Sequence, residues 1–201
     1  MTPDVLLALV AFALVTSITP GPNNLMLLAS GLNFGVRRTM PHMLGIGVGF
    51  PVMIAAVGLG LSSVFRAAPV LYEVLKWTGA GYMLWLAWRI AQSEAMDADP
   101  ATRGQPMSFL AAAAFQWVNP KAWVMAVTAV ATYTTAGSVT TVLVVTAVFG
   151  LVGLLSVNLW AMCGVGLRRV LSDPRHIVLF NRTTATLLVL SLWPLLASAL
   201  G

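Results

Sequence analysis

Two short polar motifs interrupt apolar segments of the sequence, and their side chains are suited to binding a small solute. The first motif is TPGPNN at residues 19–24, inside an apolar run from about residue 5 to residue 30. The second is NPK at residues 119–121, inside a run from about residue 108 to residue 133. Proline removes a backbone hydrogen bond and clashes with the preceding turn. Each motif therefore predicts a helix that is broken near its middle.

The polar groups at these two breaks predict a substrate-binding site. In hydrocarbon, an amide or an ammonium group must find a partner inside the protein or face a water-filled cavity. Interrupted spans at matching places in the two halves of a chain are typical of transporter binding sites. The predicted substrate-binding residues are Pro20, Gly21, Pro22, Asn23, Asn24, Asn119, Pro120 and Lys121.

Lys121 is the one charged residue near the middle of an apolar span, and two interpretations of it are open. Either it attracts the carboxylate of an amino acid, or it donates hydrogen bonds to carbonyl groups freed by Pro22 or Pro120. The asparagine amides at the breaks have the same two interpretations. They bind the ammonium and carboxylate of a substrate, or they form hydrogen bonds across the helix breaks.

The composition is that of an integral membrane protein. Hydrophobic residues make up 59% of the 201 residues and charged residues only 8%, whereas a typical soluble domain is about one-quarter charged. Six apolar spans are expected, at about residues 5–30, 40–65, 69–90, 108–133, 139–163 and 183–200. The net charge of +5 comes mainly from the loops between these spans, so it does not predict a nucleic-acid partner.

The basic residues predict the orientation in the membrane. Eight of the 11 lie on one side of the six spans: Arg37, Arg38, Arg89, Arg103, Arg168, Arg169, Arg175 and Arg182. The first pair falls in an expected short loop at residues 31–38, and the last four fall in an expected loop before span six. By the positive-inside rule this side is cytoplasmic. With six spans, both termini are then outside.

The polar stretch at residues 93–107 predicts a cytoplasmic linker between two repeats of three helices, residues 1–92 and residues 108–201. Since three is an odd number, the two repeats enter the membrane in opposite directions. The broken spans one and four then occupy equivalent places in the two repeats. The expected fold class is an all-α membrane protein with six transmembrane helices in two inverted three-helix repeats, helices one and four being broken.

Three residues are candidates for proton coupling: Glu73, Lys121 and His42. Glu73 is the best carboxylate candidate, but its spacing from Lys76 also predicts an ion pair near the outer mouth. His42 is expected at the cytoplasmic end of span two, and histidine titrates near neutral pH. The alternative is that His42 merely lies at the membrane interface.

The ordered set of motifs resembles the LysE/RhtB family of amino-acid exporters over nearly the whole chain. The matching residues are Pro20-Gly21-Pro22-Asn23, Gly35-Val36-Arg37, Gly45 with Gly49, residues 76–80 with Tyr82, and Asn119-Pro120-Lys121. The resemblance implies a small inner-membrane protein of about six spans that exports amino acids or similar metabolites by proton exchange. It also implies a homodimer. Many family members carry Asp where this chain has Asn23, so a cationic substrate such as lysine finds no buried counter-charge here.

The predicted function is secondary active export of amino acids or related small zwitterions across the inner membrane, coupled to protons. The alternative is a passive channel or a structural membrane subunit, and a substrate gradient that dissipates independently of pH would favour the channel. An enzyme would need a cluster of catalytic side chains near one interface. The sequence has no such cluster, no metal motif and no phosphate-binding loop. No catalytic residue, metal ion or cofactor is therefore predicted.

Overall fold

The computed structural model describes residues 1–61, 68–92, 105–135, 137–171 and 173–193. These residues form seven α-helices and no strand, which confirms the all-α class. The helices are α1 Pro3–Ile18, α2 Pro22–Ala56, α3 Pro69–Ala91, α4 Phe109–Phe115, α5 Pro120–Tyr133, α6 Val139–Val170 and α7 Pro174–Leu190. A π-helical turn, Val57–Leu61, follows α2, and a 3₁₀ turn, Gln116–Val118, follows α4.

The two predicted helix breaks are present, and in each of them a proline begins the next helix. α1 ends at Ile18 and α2 begins at Pro22; the 3₁₀ turn after α4 ends at Val118 and α5 begins at Pro120. Proline suits the first position of a helix because its missing N–H has no intrahelical partner there. The prolines thus start new helices instead of kinking continuous ones.

α2 folds back on itself at Gly35. This residue has φ 77° and ψ 166°, a left-handed conformation that glycine adopts without strain. The hydroxyl oxygens of Ser30 and Thr39 are 2.9 Å apart, although residues nine apart in a straight helix are separated by about 13 Å along the axis. α2 therefore has two limbs, residues 22–34 and 36–56. The sharp reversal replaces the loop expected at residues 31–38, because one glycine is enough to turn the chain.

Two apolar helical stretches of the described chain exceed the length needed to cross a membrane: Pro22–Leu61, which includes the reversal at Gly35, and Val139–Arg168. Pro3–Ile18 and Phe109–Val118 are apolar but shorter. The shorter segments are those that precede the two breaks. α1 with the first limb of α2, and α4 with α5, occupy the residues at which the broken spans one and four are expected.

The start of α7 differs from the sequence prediction. A basic loop is expected before a sixth span at about residue 183, but α7 begins at Pro174, and Asp173 caps it by accepting a hydrogen bond from the Arg175 N–H. Arg175 and Arg182 consequently lie on a helix. The capping carboxylate and the proline at the first position favour a helix start at this point. The arginines that follow do not prevent it. Most of the predicted linker, residues 93–104, lies outside the described residues.

Glycines allow the closest helix crossings. A Cβ built at Gly31 would overlap the carbonyl oxygen of Ala161, and one built at Gly164 would overlap the carbonyl oxygen of Leu28. These contacts hold the first limb of α2 against α6. On the second limb, a Cβ at Gly49 would lie 2.6 Å from the Cα of Ala113. The spacing of Gly45 and Gly49 is typical of a close helix approach, and α4 is the partner helix here.

Candidate functional site

The two helix breaks border one cavity of about 50 Å³, enough for roughly four water molecules. Its polar lining consists of Thr16, Ser17, Asn23, Asn24, Asn119, Lys121 and Ser156. Its apolar lining consists of Ile46, Phe50, Ala122, Met125 and Val157, and Gly21 and Gly153 complete it. The lining thus combines hydrogen-bonding groups from both breaks with hydrocarbon from α2, α5 and α6.

Of the eight predicted substrate-binding residues, five line this cavity: Gly21, Asn23, Asn24, Asn119 and Lys121. The three prolines, Pro20, Pro22 and Pro120, do not line it and act through the backbone by interrupting or starting a helix. The contribution of α6 to the cavity lining was not predicted from the sequence. Ser156 and Gly153 become part of the site only because α6 packs against α1 and α2, and their sequence context carries no signal of this.

The carbonyl end of α1 is satisfied by side chains from other helices. The Ser17 carbonyl oxygen accepts hydrogen bonds from Asn24 Nδ2 at 2.8 Å and from Ser156 Oγ at 2.7 Å. The Ile18 carbonyl oxygen accepts one from Trp160 Nε1 at 3.2 Å. The last carbonyl groups of a helix have no intrahelical partner and form the negative end of its dipole. These donors therefore stabilise the break from outside α1.

Lys121 donates hydrogen bonds to the segment that follows α1. Its Nζ lies 2.7 Å from the carbonyl oxygen of Thr19, 3.0 Å from Thr19 Oγ1 and 3.3 Å from the carbonyl oxygen of Pro20. One of the two expected roles of Lys121, hydrogen bonding to backbone carbonyls, is thus present. The acceptors belong to the break itself and are not the carbonyl groups freed by Pro22 or Pro120. The side chain also lines the cavity.

A reciprocal pair of amides joins the two broken spans. Asn23 Nδ2 donates to Gln116 Oε1 at 2.8 Å, and Gln116 Nε2 donates to Asn23 Oδ1 at 3.2 Å. Gln116 Nε2 also donates to the carbonyl oxygen of Ala112 at 2.9 Å. Gln116 is completely buried and was not among the predicted site residues. The available signal was a polar side chain one turn before the second break.

The two helices that begin at the breaks differ at their N-termini. At α5, Asn119 Oδ1 accepts a hydrogen bond from the Lys121 N–H at 3.1 Å. At α2 the capping position is held by Gly21, and no side chain caps the helix. Uncapped N–H groups at the positive end of a helix dipole attract anions. The break at residues 19–21 therefore presents a carbonyl end and an uncapped N–H end beside the same cavity.

The other two proton-coupling candidates lie outside the cavity lining. Glu73 is on α3, where Oε1 is 2.9 Å from Lys76 Nζ and Oε2 accepts a hydrogen bond from Trp77 Nε1 at 3.2 Å. The predicted ion pair is present. His42 is 2% exposed, and neither ring nitrogen has a hydrogen-bond partner within the described part of the chain. It lies three residues before Gly45, on the face of α2 that packs against α4, so it is buried within the protein.

An apolar, all-helical chain with two interrupted helices around a small, partly polar cavity has the architecture of a membrane translocator. The chain belongs to the LysE type translocator family, whose family model matches residues 14–193. The resemblance stated from the motifs is thereby confirmed, and the protein is a transporter and not an enzyme.

Proteins named for cysteine/O-acetylserine efflux are similar to this chain over most of their length. The cysteine/O-acetylserine efflux proteins of Salmonella typhi and Escherichia coli (strain K12) are each 34% identical over 167 residues, which is 82% of this chain and 84% of the relative. The protein of that name from Klebsiella pneumoniae is 35% identical over 133 residues, which is 66% of this chain and 67% of the relative. No solved structure gives a significant match to the chain.

Proposed function

We propose that this protein exports small zwitterionic amino acids across the inner membrane, with cysteine and O-acetylserine as the first candidates. Relatives named for the efflux of these two compounds support the substrate class. The observation that carries the proposal is the cavity at the breaks, where Lys121 and the uncapped start of α2 border the same space as several apolar side chains.

The lining of the cavity offers a partner to each part of such a substrate. The carboxylate binds the Lys121 ammonium and the N–H groups at the start of α2, because both are sources of positive potential. A short side chain lies against Phe50, Met125 and Val157. Phe50 is fixed by an edge-to-face contact with Phe149, with ring centroids 5.7 Å apart, so the cavity favours short side chains over long ones.

The test is uptake of labelled amino acids into inverted membrane vesicles, with and without an imposed pH gradient. Inverted vesicles convert export into accumulation inside the vesicle. We expect cysteine or O-acetylserine to accumulate only when the gradient is present, and we expect no accumulation of lysine. Equilibration without accumulation would indicate the passive channel instead. The absence of movement of any amino acid would contradict the proposal and leave a structural subunit.

Filling the cavity should block export without unfolding the protein. A Cβ built at Gly153 meets no atom within 4 Å, although this glycine lines the cavity. Gly153→Val should therefore fold normally and lower export on the order of tenfold, because its side chain takes the space of the substrate. Gly166 is on the same helix, also has open space and is outside the cavity lining. Gly166→Val should export like the wild type, and equal rates from both variants would contradict the site.

Proton coupling is assigned to His42 in this proposal. Burying an imidazole without a hydrogen-bond partner costs folding free energy. A proton-carrying role would explain why a histidine is present at a position that an apolar side chain could fill. His42→Leu should abolish accumulation driven by the pH gradient while substrate still exchanges across the membrane. His176, exposed on α7, supplies the control variant His176→Leu. Accumulation by His42→Leu at the wild-type level would exclude His42 as the proton carrier and leave Lys121 and Glu73 as the candidates.

The remaining features stay predictions. Two breaks at equivalent places support two inverted repeats, residues 1–92 and 108–201. The basic residues close to Gly35 and near the end of α6 support a cytoplasmic location for that side, with both termini outside. A homodimer is implied by the family resemblance.

A further inference from the structure

The proposed function gives the substrate carboxylate and side chain a place, and the contacts at the first break provide a place for the ammonium. We infer that the carbonyl oxygens of Thr19 and Pro20, with Thr19 Oγ1, form an ammonium-binding site that Lys121 occupies when no substrate is bound. The ammonium of the substrate replaces that of Lys121, which turns to the substrate carboxylate. This inference rests on the proposed function, because it concerns the same cavity.

The geometry around Lys121 fits an ammonium site. Three oxygen atoms lie 2.7, 3.0 and 3.3 Å from Nζ, and an ammonium group has three N–H donors. The oxygens stand at the negative end of the α1 dipole. The α-ammonium of an amino acid is the same chemical group as that of Lys121, so oxygens that accept from one are suited to the other.

The cavity offers no carboxylate to a cation, since none of its lining residues is Asp or Glu. Backbone carbonyl oxygens at the end of a half-helix are the groups that bind cations in many broken-helix transporters. The Thr19 carbonyl oxygen also accepts a hydrogen bond from Asn24 Nδ2 at 2.8 Å. That bond holds the carbonyl in place when Lys121 departs.

The exchange keeps the charge of the cavity constant. The empty cavity holds the positive charge of Lys121, and a zwitterion adds one charge of each sign. An amine without a carboxylate would add a second positive charge beside Lys121, and close like charges repel strongly where water is scarce. Lys121 therefore selects zwitterions in two ways, by binding the carboxylate and by excluding simple amines.

Gly21 makes room for the lysine side chain over the break. A Cβ at this position would lie 2.6 Å from Lys121 Cδ and 3.1 Å from Nζ. The φ of Gly21 is −176°, an extended conformation open to any residue, so the contact with Lys121 and not the backbone conformation accounts for the glycine. Lys121 is half-buried, and its four-carbon chain is flexible enough to move between partners.

The test compares equilibrium binding of cysteine and of cysteamine, which is cysteine without its carboxylate, to purified protein. Wild type should prefer cysteine on the order of 100-fold. Lys121→Met, which removes the charge and keeps the length, should bring the ratio to about one or below, by losing affinity for cysteine and gaining affinity for cysteamine. Lys121→Arg keeps the charge and should keep the preference. Lys121→Gln serves in place of Lys121→Met if the methionine variant does not fold.

Each outcome decides the inference. Equal binding of cysteine and cysteamine by the wild type would overturn it without any variant. An unchanged preference for cysteine in folded Lys121→Met or Lys121→Gln would overturn it as well. Either result would leave the proposed exporter standing, because cysteine still binds. If the wild type binds and transports no amino acid, the proposed function itself fails.

Discussion

Replacing Lys121 by alanine should lower cysteine or O-acetylserine export on the order of 100-fold while folded protein remains in the membrane. A charge-assisted hydrogen bond to the substrate contributes about 3 kcal/mol, which corresponds to that factor. The fold should survive, because Asn24 Nδ2 still donates to the Thr19 carbonyl oxygen. Ser156 and Trp160 still donate to the preceding carbonyl groups of α1. The measurement is initial uptake into inverted vesicles, normalised to the amount of protein.

Lys76→Ala is the matched control for Lys121→Ala. Lys76 forms an ion pair with Glu73 on α3 and does not line the cavity. Glu73 is half-exposed, and ion pairs in contact with solvent contribute only about 0–1 kcal/mol, so export should stay within about twofold of the wild type. Wild-type export by Lys121→Ala, or an equal loss in both variants, would show that the charge at the break has no special role.

Gly164→Ala should destabilise the protein by about 3 kcal/mol, at the upper end of the usual cost of overpacking. The added methyl group would overlap the carbonyl oxygen of Leu28 and lie 2.8 Å from the Leu32 nitrogen. These are backbone atoms, so the clash is relieved only if the first limb of α2 moves away from α6. Since that limb begins at the first break, export should fall together with stability. Thermal unfolding in detergent measures the change.

Gly166→Ala provides the comparison two residues further along α6. A Cβ there meets no atom within 4 Å. Alanine is favoured over glycine in a helix by about 1 kcal/mol, so this variant should be as stable as the wild type or more so. Equal unfolding temperatures for Gly164→Ala and Gly166→Ala would contradict this account, because they would show that the crossing of α2 and α6 has room for a methyl group at residue 164.

The helix breaks were predictable from sequence because their signal is local. Prolines next to asparagine in an apolar run leave few alternatives to an interrupted helix, and the structure interrupts the chain there. The spacing of Gly45 and Gly49 is likewise a local signal, since it favours a close contact with another helix. The partner helix was not predictable, since spacing on one helix says nothing about which other helix approaches it.

Features that depend on three-dimensional packing escaped the sequence analysis. The chain reverses at Gly35 through a single residue with positive φ. The polar residues around it had predicted a longer loop instead. The pairing of Asn23 with Gln116 joins residues 93 positions apart. The acceptors of Lys121 were expected among carbonyl groups freed by proline, but the break itself supplies them. His42 is buried because it shares a face with Gly45, a signal that was present and not used.

The central claim is that the substrate binds between the two helix breaks. The most direct test is saturable binding of radiolabelled O-acetylserine to purified wild-type protein and to Gly153→Val, with Gly166→Val as the control. We predict saturable binding to the wild type and to Gly166→Val, and binding to Gly153→Val that is at least about tenfold weaker. Equal affinity in all three proteins would contradict the claim and place the substrate elsewhere in the molecule.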